Sequence, residues 1–255
     1  MQRVAALYDI HGNLPALRAV LAELEREPVE HVVIGGDVAN GPLPAETLDA
    51  LAAISTPSSY VMGNGDLEVA AAYDGEHLAA SVLAESPAAR ASVFAATRIS
   101  ADQRRMIGGF QPTVTLEIDG LGDVLFCHGS PRSDTEIITT LTSDDRLGEI
   151  LASDAGNPPT IVGGHTHRGF DRRVYRWRFV NAGSVGMPYE GRRGAFWAVL
   201  GPDIELRCTG YDVPAAIDQL RAGGFDDVDE MFEESLLRPM DADRVAELFE
   251  QGVPS

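Results

Sequence analysis

The feature that most constrains this 255-residue chain is a set of short apolar runs that end in glycine and in side chains able to bind metals. The clearest example is the run from Thr160 to Gly164, which is followed by His165 and His167. β-Branched Ile161 and Val162 favour a buried strand, and the glycines after them allow a tight turn. Imidazole binds several transition metals. One His-x-His pair is weak evidence for a site, so the argument depends on repetition.

Four further runs share this design, each an apolar segment followed by one or two polar side chains: Arg3 to Tyr8 before Asp9 and His11, His31 to Ile34 before Asp37, Tyr60 to Met62 before Asn64, and Asp123 to Cys127 before His128. Helical patterns at Pro15 to Glu27 and at Pro44 to Ile54 separate the first three. Strands that alternate with helices predict an α/β fold, in which sites form beyond the carboxyl ends of the strands.

The remaining segments predict an elaborated single domain. We expect a domain over residues 1–210, with a helical insertion at about 67–107 that contains His77 as an exposed residue, and an acidic helical appendage over 211–255. The other expected elements are a hairpin at Thr113 to Ile118 and Asp123 to Cys127, a helix at Asp144 to Ser153, and strands of a second sheet at Tyr175 to Asn181, Ala195 to Leu200 and Asp203 to Tyr211. Five arginines between 168 and 178 either attract phosphate or pack against the acidic tail.

Composition excludes several functions. The net charge is -19, and all 20 basic residues are arginine. Without lysine there is no P-loop and no Schiff-base chemistry, and the acidity argues against general nucleic-acid binding. The chain has no apolar run near the roughly 20 residues that span a membrane, so we expect no membrane partner. Cys127 and Cys208 are far apart, so we expect a cytoplasmic protein without a disulfide framework.

Five ordered motifs carry a resemblance to a known family: Asp9-x-His11, Gly36-Asp37-x-x-x-Gly41, Gly63-Asn64, His128-Gly129 and Gly164-His165-x-His167. In order and spacing, from about Val4 to Leu200, the chain resembles the calcineurin-like metallophosphoesterase superfamily. It looks like the small bacterial branch of that superfamily, similar to the phosphodiesterases and phosphatases whose third motif lacks the usual histidine. The resemblance implies a four-layer α-β-β-α sandwich of two mixed sheets flanked by helices, with two metal ions between the strand ends.

The resemblance also implies a ligand set. It assigns Asp9, His11, Asp37 and His167 to one ion and Asp37, Asn64, His128 and His165 to the other, so that Asp37 bridges the two. Oxygen ligands mixed with imidazoles suit manganese, iron, zinc or nickel, and manganese is our first expectation. The implied reaction is hydrolysis of a small phosphorylated substrate, a phosphodiester or an activated phosphate ester or anhydride, by a hydroxide that bridges the ions.

Gly65 departs from the family pattern, which usually has a histidine there to stabilise the transition state or protonate the leaving oxygen. Either another group takes that role, or the preferred leaving groups need little protonation, as in anhydrides and aryl esters. Asp66 keeps the acidic position and is a candidate catalytic residue. Arg132 is either a phosphate-binding residue or a plain surface residue.

Two other functions remain open at this point. One is a phosphomonoesterase, acting on proteins or nucleotides at the same site. The other is a non-catalytic metal-binding scaffold, as in the retromer subunit that has this fold. The complete ligand set favours the enzyme, because a scaffold does not need all seven side chains.

Overall fold

The protein was analysed as a computed structural model, which describes residues 1–76, 79, 82–83, 86–153 and 156–252. His77 lies outside the described residues. Two five-stranded sheets lie at the centre of the described chain. Among the described residues, no helix combines the length and the apolarity that crossing a membrane requires.

The first sheet places three candidate ligands at one edge. Its strands are β1 (Val4–Leu7), β2 (His31–Ile34), β3 (Ser58–Tyr60), β9 (Ala195–Leu200) and β10 (Ile204–Thr209). They lie in the order β10-β9-β1-β2-β3, and β1, β2 and β3 are parallel. Because parallel strands end at the same edge, Asp9, Asp37 and Asn64 all follow strands that end there.

The second sheet places two candidate histidine ligands at the ends of adjacent strands. Its strands are β4 (Thr113–Ile118), β5 (Gly122–Cys127), β6 (Thr160–Gly163), β7 (Phe170–Val174) and β8 (Trp177–Asn181). Their order is β4-β5-β6-β8-β7, with β5 parallel to β6 and β6 parallel to β8. His128 and His165 follow the ends of the adjacent strands β5 and β6.

Side-chain alternation along the strands separates the layers. Val4, Ala6 and Tyr8 pack against Phe126 and Val162 of the second sheet, while the alternate residues of each sheet face helices. The helices are α1 (Leu14–Arg26), α2 (Pro44–Ala52), α3 (Asn64–Tyr73), α4 (Pro87–Ala96), α5 (Ala101–Ile107), α6 (Asp144–Leu151), α7 (Val213–Ala222), α8 (Val228–Met231), a π-helical turn (Glu233–Leu237) and α9 (Ala242–Glu250). The predicted fold of two mixed sheets flanked by helices is confirmed.

The prediction for the late strands is wrong in part. Of the three strands expected in the second sheet, only β8 lies there, whereas β9 and β10 extend the first sheet beside β1. Strand β7 was not predicted, because Asp171, Arg172 and Arg173 make it look like a polar loop. It is stabilised as an edge strand by antiparallel pairing with β8.

Four of the five arginines after His167 have partners within the protein: Arg168, Arg172 and Arg178 form ion pairs, and Arg176 lies over a ring. Arg168 donates to the Asp243 carboxylate at 2.8 Å and to the Ala242 carbonyl at 3.0 Å, both in α9. Arg172 pairs with Asp144, and the others are held locally or over an aromatic ring: Arg178 by Asp171 and Asp203, and Arg176 over Trp177. Packing against the tail therefore holds for Arg168, and these contacts do not support a phosphate site there.

The C-terminal helices share a core with the rest of the chain. Phe232 and Leu236 are fully buried in one apolar cluster with Leu14 of α1, Ala91 of α4 and Met187. The boundary at residue 210 stays a prediction.

We expect Phe232→Ala to lower the free energy of unfolding by about 3 to 5 kcal/mol, because it leaves a cavity in a packed cluster. Denaturant-induced unfolding followed by circular dichroism measures this. Leu206→Ala, at a side chain that is 43% exposed, is the control and should change it by less than about 0.5 kcal/mol. Equal effects of the two changes would show that the C-terminal cluster is not part of the cooperative core.

Candidate metal centre

The loops after the strands have unusual backbone conformations at the candidate ligands. Among the described residues, six that are not glycine have positive φ, and five of these are candidate ligands: Asp9 (53°), His11 (50°), Asp37 (51°), His165 (65°) and His167 (56°). Each such residue costs of order 1–3 kcal/mol and is kept only where its surroundings impose it. Strain concentrated in this way is typical of a functional site.

The side chains form two groups that could each hold a metal ion. Asp9, His11 and His167 make one group, and Asp37, His128 and His165 the other, with the ligand atoms of each group within 4.8 Å of one another. In the first, Nε2 of His11 and Nε2 of His167 are 3.0 Å apart, and Nε2 of His167 is 3.5 Å from Oδ1 of Asp9. Ligands of one ion, each about 2.0–2.2 Å from it, lie roughly 3 to 4.3 Å apart. The measured distances fit that spacing.

Asp37 lies between the two groups. Its Oδ1 is 3.5 Å from Nε2 of His128, whereas its Oδ2 is 3.9 Å from Nε2 of His11, in the other group. The two oxygens therefore face different sets of imidazoles, which is the arrangement that a bridging carboxylate needs.

Hydrogen bonds behind the imidazoles orient them. Nδ1 of His128 lies 2.8 Å from the carbonyl oxygen of Gly35, and Nδ1 of His167 lies 2.8 Å from that of Met187. Each contact uses the outer ring nitrogen and turns Nε2 toward the carboxylates, as in most histidine metal sites. The backbone N–H of His165 donates to Oδ2 of Asp9 at 3.0 Å, which leaves Oδ1 of Asp9 facing the imidazoles.

Several buried atoms of the site have no hydrogen-bond partner among the described residues. They are Oδ1 of Asp9, Nδ1 of His11, Oδ1 of Asn64 and Nε2 of His128. Each unpaired polar atom costs about 1–3 kcal/mol. Oδ1 of Asp9 and Nε2 of His128 lie 3.8 Å apart, so a cation beside them would satisfy both, and the residues present fit a metal centre. Nδ1 of His11 is the ring nitrogen opposite the Nε2 that faces His167, so a cation bound at Nε2 would not satisfy it.

Burial and mutual charge set the protonation of the site. Burial, followed by the neighbouring His167, lowers the pKa of His11 to about 4, and burial and His128 lower the pKa of His165 to about 4. Burial also opposes a charged His128, but the carboxylates of Asp37 and Asp9 outweigh it and raise its pKa to about 10. The same carboxylates would stabilise a metal cation in place of that proton.

The carboxylates are held ionised in spite of burial. Burial alone would raise the pKa of Asp9 and of Asp37. The imidazoles of His167 and His128, respectively, outweigh burial and lower both. Ionised carboxylates and neutral imidazoles are the forms that bind metals.

Asp66 joins the loop after β2 to the start of α3. Its carboxylate accepts hydrogen bonds from the N–H groups of Val38 (2.9 Å), Ala39 (3.3 Å) and Gly63 (3.2 Å), and it is fully buried. Burial and the charge of Asp37 raise its pKa to about 7. These contacts describe a positioning residue, and the catalytic role expected from the sequence stays a prediction that they do not support.

Asn64 is the first residue of α3, between two glycines that contact Asp37. The N–H of Gly65 donates to Oδ1 of Asp37 at 2.7 Å. Gly63 packs so closely on Asp37 that an added Cβ would lie under 3.0 Å from Oδ1 and from the backbone nitrogen. Asn64 therefore adjoins the shared carboxylate, and its metal-binding role stays a prediction.

Arg132 lies beside His128 but has a partner. Its Nε donates to Oε2 of Glu136 at 2.8 Å, and its terminal nitrogen pairs with the other carboxylate oxygen. The side chain is 48% exposed and lines a cleft that reaches His128. Its expected role in binding phosphate stays a prediction.

The sequence analysis missed residues that support the site. Ser184 donates from Oγ to the Asp9 carbonyl at 2.7 Å, and Asn181 donates from Nδ2 to the Gly164 carbonyl at 2.7 Å. Tyr189 stacks on His167 with ring centroids 5.2 Å apart. Asn181 ends β8 and Ser184 lies three residues beyond it, so these polar residues at a strand end repeat the pattern that marked the ligands and were the available signal.

Comparisons with known proteins agree with this geometry. The sequence model of the calcineurin-like phosphoesterase superfamily domain matches residues 2–200. A hypothetical protein from Pyrococcus horikoshii OT3 has a TM-score of 0.76 at 18% identity, with 91% of this chain and 98% of that chain covered. A metallophosphoesterase from Sphaerobacter thermophilus has a TM-score of 0.68 at 24% identity, with the same coverage of 91% and 98%.

These two likenesses show the fold, and no curated protein matches the sequence. The family match extends over most of the chain. The chain therefore belongs to the calcineurin-like phosphoesterase superfamily.

Proposed function

We propose that this protein is a phosphoesterase that holds two divalent transition-metal ions and hydrolyses a small phosphorylated substrate. The observation that carries the proposal is the pair of ligand groups on either side of Asp37, one with His11 and His167 and the other with His128 and His165. Asn64 completes the proposed set beside the second group. Manganese is the first ion to test, since oxygen and imidazole ligands occur together.

The side chains of the protein fix the net charge of the proposed metal centre and the positions of its ligands. Two bound ions would activate a water molecule and withdraw charge from the attacked phosphoryl oxygens. Asp9 and Asp37 bring only two negative charges to four positive ones, so the loaded centre attracts a phosphate although the whole chain carries -19. The backbone constraints on the ligands keep that arrangement fixed before substrate binds.

We further propose a preference for phosphodiesters, anhydrides and aryl esters over unactivated monoesters. Gly65 has no group that could protonate a leaving oxygen. A Cβ at this position would meet the buried carboxamide of Asn40 at under 3.0 Å, so the space is filled by a side chain that is not an acid. Leaving groups of low pKa are then the ones that depart readily.

The test is hydrolysis of bis(p-nitrophenyl) phosphate and p-nitrophenyl phosphate by protein with added manganese and by protein treated with a chelator. We expect metal-dependent hydrolysis, faster with the diester. His128→Ala should lose most of it, whereas His31→Ala, a partly matched change at a histidine that contacts Ser59 away from the site, should retain it. If the manganese-loaded wild type hydrolyses neither substrate, the proposed enzyme function is wrong and the scaffold alternative remains.

A further inference from the structure

A cleft of about 420 Å³ opens beside the candidate metal centre, and His128 is part of its lining. The first turns of α3 and the segment before β4 form one wall, and the loop from Ser130 to Asp134 forms the other. The volume lies within the range of small-molecule sites, about 300–1,000 Å³. A group attached to a phosphorus atom at the metal centre has this cleft as an adjoining space.

The first wall is apolar. It is formed by Met62, Leu67, Phe110 and Pro112. Leu67 is 47% exposed, although leucine is usually buried, and it lies three residues after Asn64 on the same face of α3. An exposed apolar side chain one helical turn from a candidate metal ligand is placed to contact substrate.

The charges of the cleft disfavour a second phosphate. Apart from the candidate metal ligand His128, Arg132 is the cation among its described lining residues, and it is paired with Glu136. Ser130 also donates to Glu136, at 2.7 Å, and Asp134 adds a carboxylate to the same loop. A pyrophosphate-linked group would meet no free positive charge there, whereas an aromatic ring would cover the apolar wall.

We propose that this cleft binds an aromatic group esterified to the phosphorus atom, so that the substrates are aryl or nucleoside phosphodiesters. The inference rests on the proposed function and deepens it. Among the substrates proposed above, it favours esters that carry an aromatic ring over pyrophosphate-linked groups.

The experiment compares phenylphosphonate with methylphosphonate as inhibitors of bis(p-nitrophenyl) phosphate hydrolysis by the manganese-loaded protein, with calorimetry as a direct measure of binding. The two inhibitors differ only in carrying a phenyl or a methyl group on phosphorus. Because the ring buries more apolar area, we expect phenylphosphonate to bind about tenfold more tightly. Leu67→Asn should reduce that preference to about threefold or less, and Leu67→Ala should reduce it in part. Leu206→Asn, at a leucine of similar exposure (43%) on β10, should keep it.

A second comparison, of adenosine 5′-monophosphate with ribose 5-phosphate, identifies the source of the ring. If adenosine 5′-monophosphate binds more tightly than ribose 5-phosphate, the ring belongs to a nucleoside. If phenylphosphonate is preferred but the nucleotide is not, the ring belongs to a simple aryl ester. Wild-type hydrolysis without any preference for the ring, or with a preference that Leu67→Asn leaves intact, would overturn the inference and leave the proposed function standing. No hydrolysis by the loaded wild type would overturn both.

Discussion

Replacing Asp37 with asparagine is expected to lower the hydrolysis of bis(p-nitrophenyl) phosphate by about a thousandfold, since preorganised charge is the main source of rate in such a site. The change keeps the shape of the side chain and removes its negative charge. Asp37 is the carboxylate whose two oxygens face His11 and His128. Its loss should therefore weaken both ion sites at once, which calorimetric titration with manganese measures alongside the rate.

Asp123→Asn is the matched control, because Asp123 is exposed on the β4–β5 hairpin. It should leave the rate and the manganese affinity unchanged. An Asp37→Asn protein that still binds two manganese ions and retains its rate would show that this carboxylate does not join the two groups.

Gly63→Ala is expected to reduce the rate by about a hundredfold, the scale of effect that follows from displacing a catalytic group by 1 Å. The new methyl group would lie under 3.0 Å from Oδ1 and the backbone nitrogen of Asp37. Since α3 and the loop after β2 are tied together through Asp66, the clash can be relieved mainly by moving Asp37. The rate and the manganese affinity should fall together.

Gly210→Ala is the control for an added methyl group, because nothing lies within 4 Å of a Cβ at Gly210. Thermal unfolding of both variants separates a displaced carboxylate from a general loss of structure. If Gly63→Ala has the rate of the wild type, the close packing of the third loop on Asp37 is not needed for function.

Sequence patterns were sufficient to predict the groups that face each other at the strand ends. Asp9 and Asp37 follow the parallel strands β1 and β2, and His128 and His165 follow the parallel strands β5 and β6, so each pair meets at one sheet edge whatever the lengths of the segments between them. The packing of the two sheets face to face brings the two pairs together. Asn64 was expected after the run from Tyr60 to Met62, and it is the first residue of α3.

Other contacts depend on tertiary packing that no local pattern reports. β9 pairs with β1 across nearly the whole chain, and its apolar composition would suit either sheet equally well. Tyr189 stacks on His167 and also contacts Phe249 of α9, with ring centroids 6.1 Å apart. Such contacts between distant segments follow from how the layers assemble, so the residues that support the site were under-predicted, whereas the candidate ligands could be named from local patterns.

The central claim is that two ions bind on either side of Asp37. Anomalous diffraction from crystals soaked in manganese tests it most directly. The account predicts two peaks, one about 2.0–2.4 Å from side-chain atoms of Asp9, His11 and His167 and one at the same distance from those of His128 and His165, with a carboxylate oxygen of Asp37 at that distance from each peak. No peak, or peaks only outside these two groups, would contradict it.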